Sequence, residues 1–357
     1  MRITYVTEDT ELWGGIAVVF QHLELLSEAG HDAFLTTPAS RPDWYPLKVP
    51  VNTIRSFLDP SAFPMADILV STSWRTIGPV MESKKGIPVH LCQGYEGALE
   101  EIVHLKDGID QAHSLKIPKL TVSRHLETFL KERFRSETYY VGQMLNRGIF
   151  YPNRDPLAKL LKIRPKPLII LVVGPFEGNY KNIPTTLQGI ILAKQQLKGP
   201  LQLIRVSQFP LSGEEEGIIK PDVYHCRVPY MGMGDIYRAS DVLISMSTDA
   251  EGFGLPALEA MACGVPAILS KIRSHLGFAD PQDYAIFVES VPEAVSEAIL
   301  HLCEDAKMRR KLIKKGLSVA RKFTREALLL KLTTAFEKII AHEGEKVYHP
   351  SQSGGYL

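Results

Sequence analysis

The stretch "EGFGLPALEAMACGVP", residues 251–266, decides how the rest of the chain is read. Gly252, Gly254 and Pro256 form a turn that feeds a helix, with Pro256 in its first turn, and Gly264 marks the position after its end. A turn of this kind leaves backbone N–H groups without partners inside the helix, and bare amides at a helix start favour an anion. Two carboxylates nevertheless flank it, Glu251 before the glycine turn and Glu259 within the expected first helical turn, with seven residues between them. Acidic groups near a helix start are commonly dipole partners. That accounts for Glu259 and leaves the Glu-Gly-Phe-Gly-Leu-Pro run unexplained.

Working outward, "DVLISM" (241–246) and "PAILS" (266–270) read as buried strands on either side of this helix. Upstream, "LIILVVG" (168–174), a helix near 185–197 and "LQLIRVS" (201–207) continue the alternation. The N-terminal half repeats it. "RITYVT" is a strand, "IAVVFQHLELLSEAG" a helix ending at Gly30, and "HDAFLTT" a second strand. "ADILVSTS" (66–73), "IPVHLCQ" (87–93) and "PKLTVS" (118–123) are further strands, the last preceding the helix "RHLETFLKERF". Between the halves lies "FYPNRDPLAKLLKIRPKP", whose Pro152, Pro156, Pro165 and Pro167 suit a linker. Strands alternating with helices predict two doubly wound α/β domains with parallel sheets, whose strand ends share one cleft. Beyond residue 290 the chain turns helical, and "TREALLLKLTTAFEKIIAH" carries Leu328, Leu332, Ala335, Phe336 and Ile339 on one face. The expected division is 1–155, 156–325, a terminal helix over 326–345 and a loose tail over 346–357.

Composition narrows the function. Lys plus Arg number 41 against 40 for Asp plus Glu, so no basic field argues for nucleic acid. The run Leu168 to Val173 is too short to span a bilayer, and "MRITYVTEDT" has no signal-peptide core. Cys92, Cys226, Cys263 and Cys303 are scattered without close pairs, so neither a disulfide framework nor a metal-ligand cluster is expected. A reduced, cytoplasmic compartment fits, with peripheral membrane contact left open.

Two more loops suit phosphate. Gly14-Gly15 in "LWGGIAVV" follows the first strand and opens a helix, although the dinucleotide fingerprint is not matched. "VVGPFEGNYKNIPTTLQG" again joins a strand to a helix through glycines, with Lys181 in reach of a phosphate there, although the Walker pattern is not matched. Read alone, Gly14-Gly15 is equally a plain tight turn and Lys181 a surface lysine.

Taken with "YHCRVPYMGMGDIYRASDVLISMSTDAEGFG", "GGIAVVFQHLELLSEAGHDAFLTT", "LTVSRHLETFL", "VGPFEGNYKN" and "CEDAKMRRKLIKKGLSVARKFT", the opening stretch resembles the retaining glycosyltransferases of the GT-B fold, family 4. The resemblance runs over roughly residues 2 to 340 and implies two Rossmann-like domains facing an interdomain cleft. It implies a nucleotide-diphosphate sugar as donor substrate, no cofactor and no metal. Glu259 would bind the ribose hydroxyls and Glu251 would sit by the donor sugar. The amides of Phe253, Gly254 and Leu255, with Lys181 and Gly15, would hold the diphosphate, Gly14, Gly174 and Gly252 would belong to the donor site, and backbone near Arg227 and Val228 would meet the base. Carboxylates accept from hydroxyls while amides and an ammonium suit phosphate, so one ligand accounts for both halves of the motif.

The pattern is departed from in three places. The family's basic residue after the glycine of the first strand of the C-terminal domain is missing from Gly174-Pro175-Phe176, with Arg205 and Arg273 as the open replacements. The histidine near the reacting sugar is replaced in "VHLCQGYEG" by Gln93, Tyr95 and Glu96, with His90 expected in the core. Gln93 would bind a sugar hydroxyl and Glu96 would orient an acceptor hydroxyl, each weighed against a role in loop structure alone. The usual Asn-Gly turn before the linker is degraded to "VGQMLNRGIF". The expected reaction is retaining transfer of a hexosyl or deoxyhexosyl group to a saccharide or lipid-linked acceptor. The basic run Lys307 to Arg325 leaves open a contact with anionic membrane. A nucleotide-binding protein with little or no transferase activity, or a nucleotide-sugar epimerase, would use the same fold.

Overall fold

Runs such as "LIILVV" and "ILVS" show no polar alternation, which suits strands covered by helices on both faces. The computed structural model describes residues 1–153 and 167–348, with side chains through position 343. Its N-terminal domain contains β1 (Arg2–Val6), α1 (Gly14–Glu28), β2 (Asp32–Thr37), β3 (Val51–Thr53), β4 (Ile68–Ser71) and α2 (Trp74–Ser83). It continues with β5 (Ile87–Cys92), α3 (Lys106–Ser114), β6 (Lys119–Thr121), α4 (Arg124–Phe134) and β7 (Thr138–Tyr140). The C-terminal domain opens with β8 (Leu168–Val173), α5 (Ile183–Gln196), β9 (Leu201–Ser207), α6 (Gly213–Ile218), β10 (Val223–Cys226), α7 (Met233–Ala239) and β11 (Val242–Ser245). It closes with α8 (Leu255–Ala262), β12 (Ala267–Ser270), α9 (Arg273–Leu276), β13 (Ile286–Val288), α10 (Pro292–Glu304), α11 (Ala306–Ala320) and α12 (Arg325–Tyr348).

The two sheets run β3-β2-β1-β4-β5-β6-β7 and β10-β9-β8-β11-β12-β13, parallel throughout the described residues. Both reverse direction beside their first strand, at β1/β4 and at β8/β11. Ligands of doubly wound sheets bind outside the carboxyl ends of strands at such reversals. The loop after β1 leads into Gly14-Gly15 at the start of α1, and the loops after β8 and β11 carry Gly174 to Lys181 and Glu251 to Gly254. Two doubly wound domains are therefore what the alternation predicted.

Alternation along β8 sends Leu171 into a core shared with the N-terminal domain and Ile170 and Val172 into a second core beneath α5 and α10. Gly189 lets those two helices meet, since a Cβ there would lie 2.6 Å from Val295. Helix α12 returns to the N-terminal domain. Its Leu328, Leu332, Ala335, Phe336 and Ile339 are buried in the shared core, and Arg325 pairs with Glu28 of α1.

The helix continues through Tyr348, three residues into the stretch read as tail, while 349–357 lie outside the described residues. Pro156 and Pro165 and the domain boundary at 155/156 also lie outside them.

Candidate active site at the interdomain cleft

Helix α8 starts from Gly254, whose φ of +89° is left-handed, and a Cβ there would lie 2.8 Å from His275. Only glycine fits both demands. Because the helix begins at Leu255, with Pro256 second, Glu259 is its fifth residue and stands in the second turn. The expectation of a first-turn carboxylate is corrected: Glu259 is too far along to act as a dipole partner of the first turn. Its Oε2 accepts a hydrogen bond from the Tyr237 hydroxyl at 2.7 Å. Burial pushes its carboxyl up to about 7, against the opposing pull of Tyr237 and Lys181.

Glu251 folds back beneath the same turn. Its Oε2 accepts from Lys181 Nζ at 2.5 Å and from Ser247 Oγ at 3.2 Å, and its Oε1 accepts from the Gly254 amide at 3.2 Å. The Lys181 and Glu251 side chains are only 12% and 11% exposed. Burial pushes the Glu251 carboxyl up, yet the charge and hydrogen bond of Lys181 overcome this and hold it at about 2. The amide of Gly254, expected to face phosphate, is thus committed within the loop. Lys181 reaches Glu251 by lying across Gly174, where a Cβ would sit 3.0 Å from its Cγ and φ is +130°. The loops after β8 and β11 are further joined by the Thr248 amide donating to the Tyr180 carbonyl at 2.8 Å.

Lys181, Glu251, Gly254 and Glu259 line a cavity of about 290 Å³ between the domains, together with Gly14, Gly15, Gln93, Gly174, Val228, Phe253 and Leu255. Lys181 is the only cationic side chain lining it among the described residues. An adjoining cavity of about 530 Å³ shares Trp13, Gln93 and Glu251 and adds Glu96, Gly252 and Phe209. Gln93 Nε2 donates to the Gly15 carbonyl at 3.0 Å, which bridges two loops of the N-terminal domain. Glu96 accepts from the Trp74 amide at 3.2 Å and pairs with His113 Nε2 at 3.0 Å. Arg227 is exposed, adopts φ +54° and pairs with Glu11 of the other domain at 3.3 Å.

Neither open replacement for the missing basic residue reaches the cavity. Arg205 is fully buried and bonds Glu215 and the carbonyls of Val172 and Gly174. Arg273 pairs with Asp249 at 3.5 Å on the surface. His90 is buried and holds Ser71, as a core histidine. Sequence reading missed Tyr237 and Ser247, the partners of the two glutamates, and Tyr230, which accepts from Gln21 across the domains at 2.7 Å. It also saw no metal-ligand cluster, whereas the fold gathers His90, Cys92 and His113.

Residues 154–319 match the family model described as glycosyl transferases group 1. Over 184 residues the chain is 33% identical to an O-antigen chain mannosyltransferase B of Escherichia coli, covering 47% of this chain and 45% of that one. Over 195 residues it is 26% identical to a D-inositol 3-phosphate glycosyltransferase of Segniliparus rotundus, covering 50% and 42%. The chain thus spans less than half the length of each relative. Among solved structures, sucrose-phosphate synthase from Thermosynechococcus elongatus superposes with a TM-score of 0.73 at 18% identity, covering 96% of this chain and all (100%) of that one. Anabaena HepE in complex with UDP and glucose superposes at 0.72 with 12% identity, covering 95% and 100%.

Proposed function

We propose that this chain, whose residues 154–319 match the group 1 glycosyl transferase model and whose fold is GT-B, transfers a hexosyl or deoxyhexosyl group from a nucleotide-diphosphate sugar to a hydroxyl of a saccharide or lipid-linked acceptor. The observation that carries this reading is the pair of carboxylates in one cavity, Glu251 and Glu259, on either side of a glycine turn at the reversal point of the second sheet. The UDP and glucose named with Anabaena HepE support a donor of this kind.

Glu259 accepts from the ribose hydroxyls. Lys181 keeps donors beyond the one engaged by Glu251 and aims them, with the loop amides of Phe253 and Leu255, at the diphosphate. Backbone near Arg227 and Val228 meets the base. Retention follows a front-face course: the acceptor oxygen bonds to the anomeric carbon as the bond to the diphosphate breaks, and the acceptor proton passes to a departing phosphate oxygen. The protein contributes positioning and stabilisation of the leaving charge, without a metal and without a nucleophile of its own. Gln93 holds a donor hydroxyl, and Glu96 orients the acceptor at the mouth of the larger cavity. The enzyme works in the cytoplasm, in peripheral contact with the membrane when its acceptor is lipid-linked. No helix among the described residues is long and apolar enough to cross a membrane.

Thermal shift against uridine, guanosine, thymidine and adenosine diphosphates tests the donor site. At 100 times its dissociation constant the cognate diphosphate adds roughly 2.7 kcal/mol, and Glu259→Ala weakens binding about tenfold or more, roughly 1.4 kcal/mol. No shift with any diphosphate overturns the donor site. Binding without sugar transfer or donor hydrolysis marks a nucleotide-binding protein, and a new nucleotide sugar formed without acceptor, seen by NMR, marks an epimerase.

A further inference from the structure

We propose that His90, Cys92 and His113 form a binding site for one zinc(II) ion, beneath the loop that carries Gln93 and Glu96. His90 and Cys92 stand two apart on β5 and share a face, while α3 brings His113 over them. One ligand atom from each lies within 4.8 Å of the others, and the three residues are no more than 1% exposed.

The hydrogen bonds fix which ring nitrogens are left over. His113 Nε2 meets the Glu96 carboxylate, which only accepts, so that nitrogen carries the proton and, in the neutral ring, Nδ1 is a bare lone pair. Ser71 donates its hydroxyl to the Val89 carbonyl at 3.2 Å, so its oxygen accepts from His90 Nδ1 at 3.0 Å and leaves His90 Nε2 bare. Both leftover nitrogens, His90 Nε2 and His113 Nδ1, are buried without a hydrogen-bond partner. The Thr121 hydroxyl, unpartnered and buried, sits on β6 in register with Cys92. Two bare imidazole nitrogens beside a thiol lack a cation, and a buried acceptor left unsatisfied is costly.

Two imidazoles and a sulfur suit zinc rather than magnesium or calcium, and a carboxylate on the far nitrogen of a ligating histidine is the usual outer partner. Tetrahedral zinc at its usual bond lengths sets ligand atoms roughly 3.3–3.6 Å apart, so the trio closes by up to roughly 1.5 Å on the ion. Cys92 loses its proton on ligation. Lys119, in register with His90 and donating to the Leu115 and Ile117 carbonyls, adds a neighbouring positive charge that keeps affinity below that of a four-thiolate site. No step of sugar transfer runs through this ion. It holds Glu96 through His113 and anchors the strand end just before Gln93.

The test uses the full chain stripped with a chelator and titrated with Co²⁺ and then Zn²⁺. One Co²⁺ per chain should bind with the near-ultraviolet charge-transfer band of a cobalt–thiolate bond, and Zn²⁺ should displace it. Saturating Zn²⁺ should raise the melting temperature by roughly 5 °C or more. Cys92→Ala should abolish the band while Cys226→Ser, at the exposed cysteine, keeps it. Glu96→Gln should weaken binding roughly 10–100-fold. Should Cys92→Ala fail to fold, the wild-type stoichiometry, band and thermal shift still decide. No uptake, uptake without a thiolate band, or a band lost with Cys226→Ser overturns the proposal.

Discussion

A carboxyl group held near neutrality makes Glu259 visible to a pH titration before any substrate is added. Its pKa is about 7 in the folded chain against an ordinary 4.5, because burial disfavours its charge. Between these values the folded state keeps a proton that the unfolded state has released. Stability from this group therefore falls as pH rises from about 4.5 to about 7 and is level above that. Glu259→Gln keeps an acceptor for Tyr237 and removes the titration, so its melting temperature should lose this slope and exceed wild type near pH 8 in the absence of nucleotide. Parallel pH profiles of the two proteins would show the carboxyl elsewhere. Glu251, Gly254 and Glu259 were legible because a short motif sets them at fixed spacing, and Lys181 because it sits in a separate glycine loop after a strand. Their pairings were not: Tyr237 stands 22 residues from Glu259 and Lys181 stands 70 from Glu251, distances closed only by the fold.

Strands β3, β7, β10 and β13 explain what the sequence hid at the next scale up. Each lies at an edge of its sheet, and each is a short segment ("VNT", "TYY", "VYHC", "IFV") with no fully buried residue. At β3, β7 and β10 the continuous apolar run that marked β4, β8 and β11 is absent, because only one side is paired, while β13 is apolar but only three residues long. The polar helix α3 was missed for the same want of an apolar stripe, and with it the position of His113 above β5. Loops have their own sharp constraint at Gly252, where a Cβ would fall 1.7 Å from the Gln93 carbonyl oxygen. Backbone from the two domains meets there, so Gly252→Ala must part the cleft. Transfer by this variant should drop about 100-fold or more, while its melting temperature moves by only a few degrees. An equally large loss of stability would mean that the contact holds the domains themselves and not their closure.

Across the molecule, two sheets of the same strand order face each other and are tied by contacts whose partners come from different halves. Gln21 donates to Tyr230, the Asn179 amide to Glu101 at 2.6 Å, and Arg227 pairs with Glu11. Helix α12 adds a covalent return path by lodging its apolar face in the N-terminal core. The two-domain plan was readable from repeated strand–helix order, but the mutual seating of the domains depends on these scattered pairs and was not. Among the described residues, the only cation lining the smaller cavity is already matched by Glu251. A diphosphate entering there meets amides and dipoles rather than unpaired positive charge, so added electrolyte has little to screen. Calorimetry at low and high ionic strength should give nearly equal nucleotide affinities. A steep decline with salt would reveal that Lys181 abandons Glu251 for the phosphate, and this chain would then capture its ligand by long-range attraction instead of by fit.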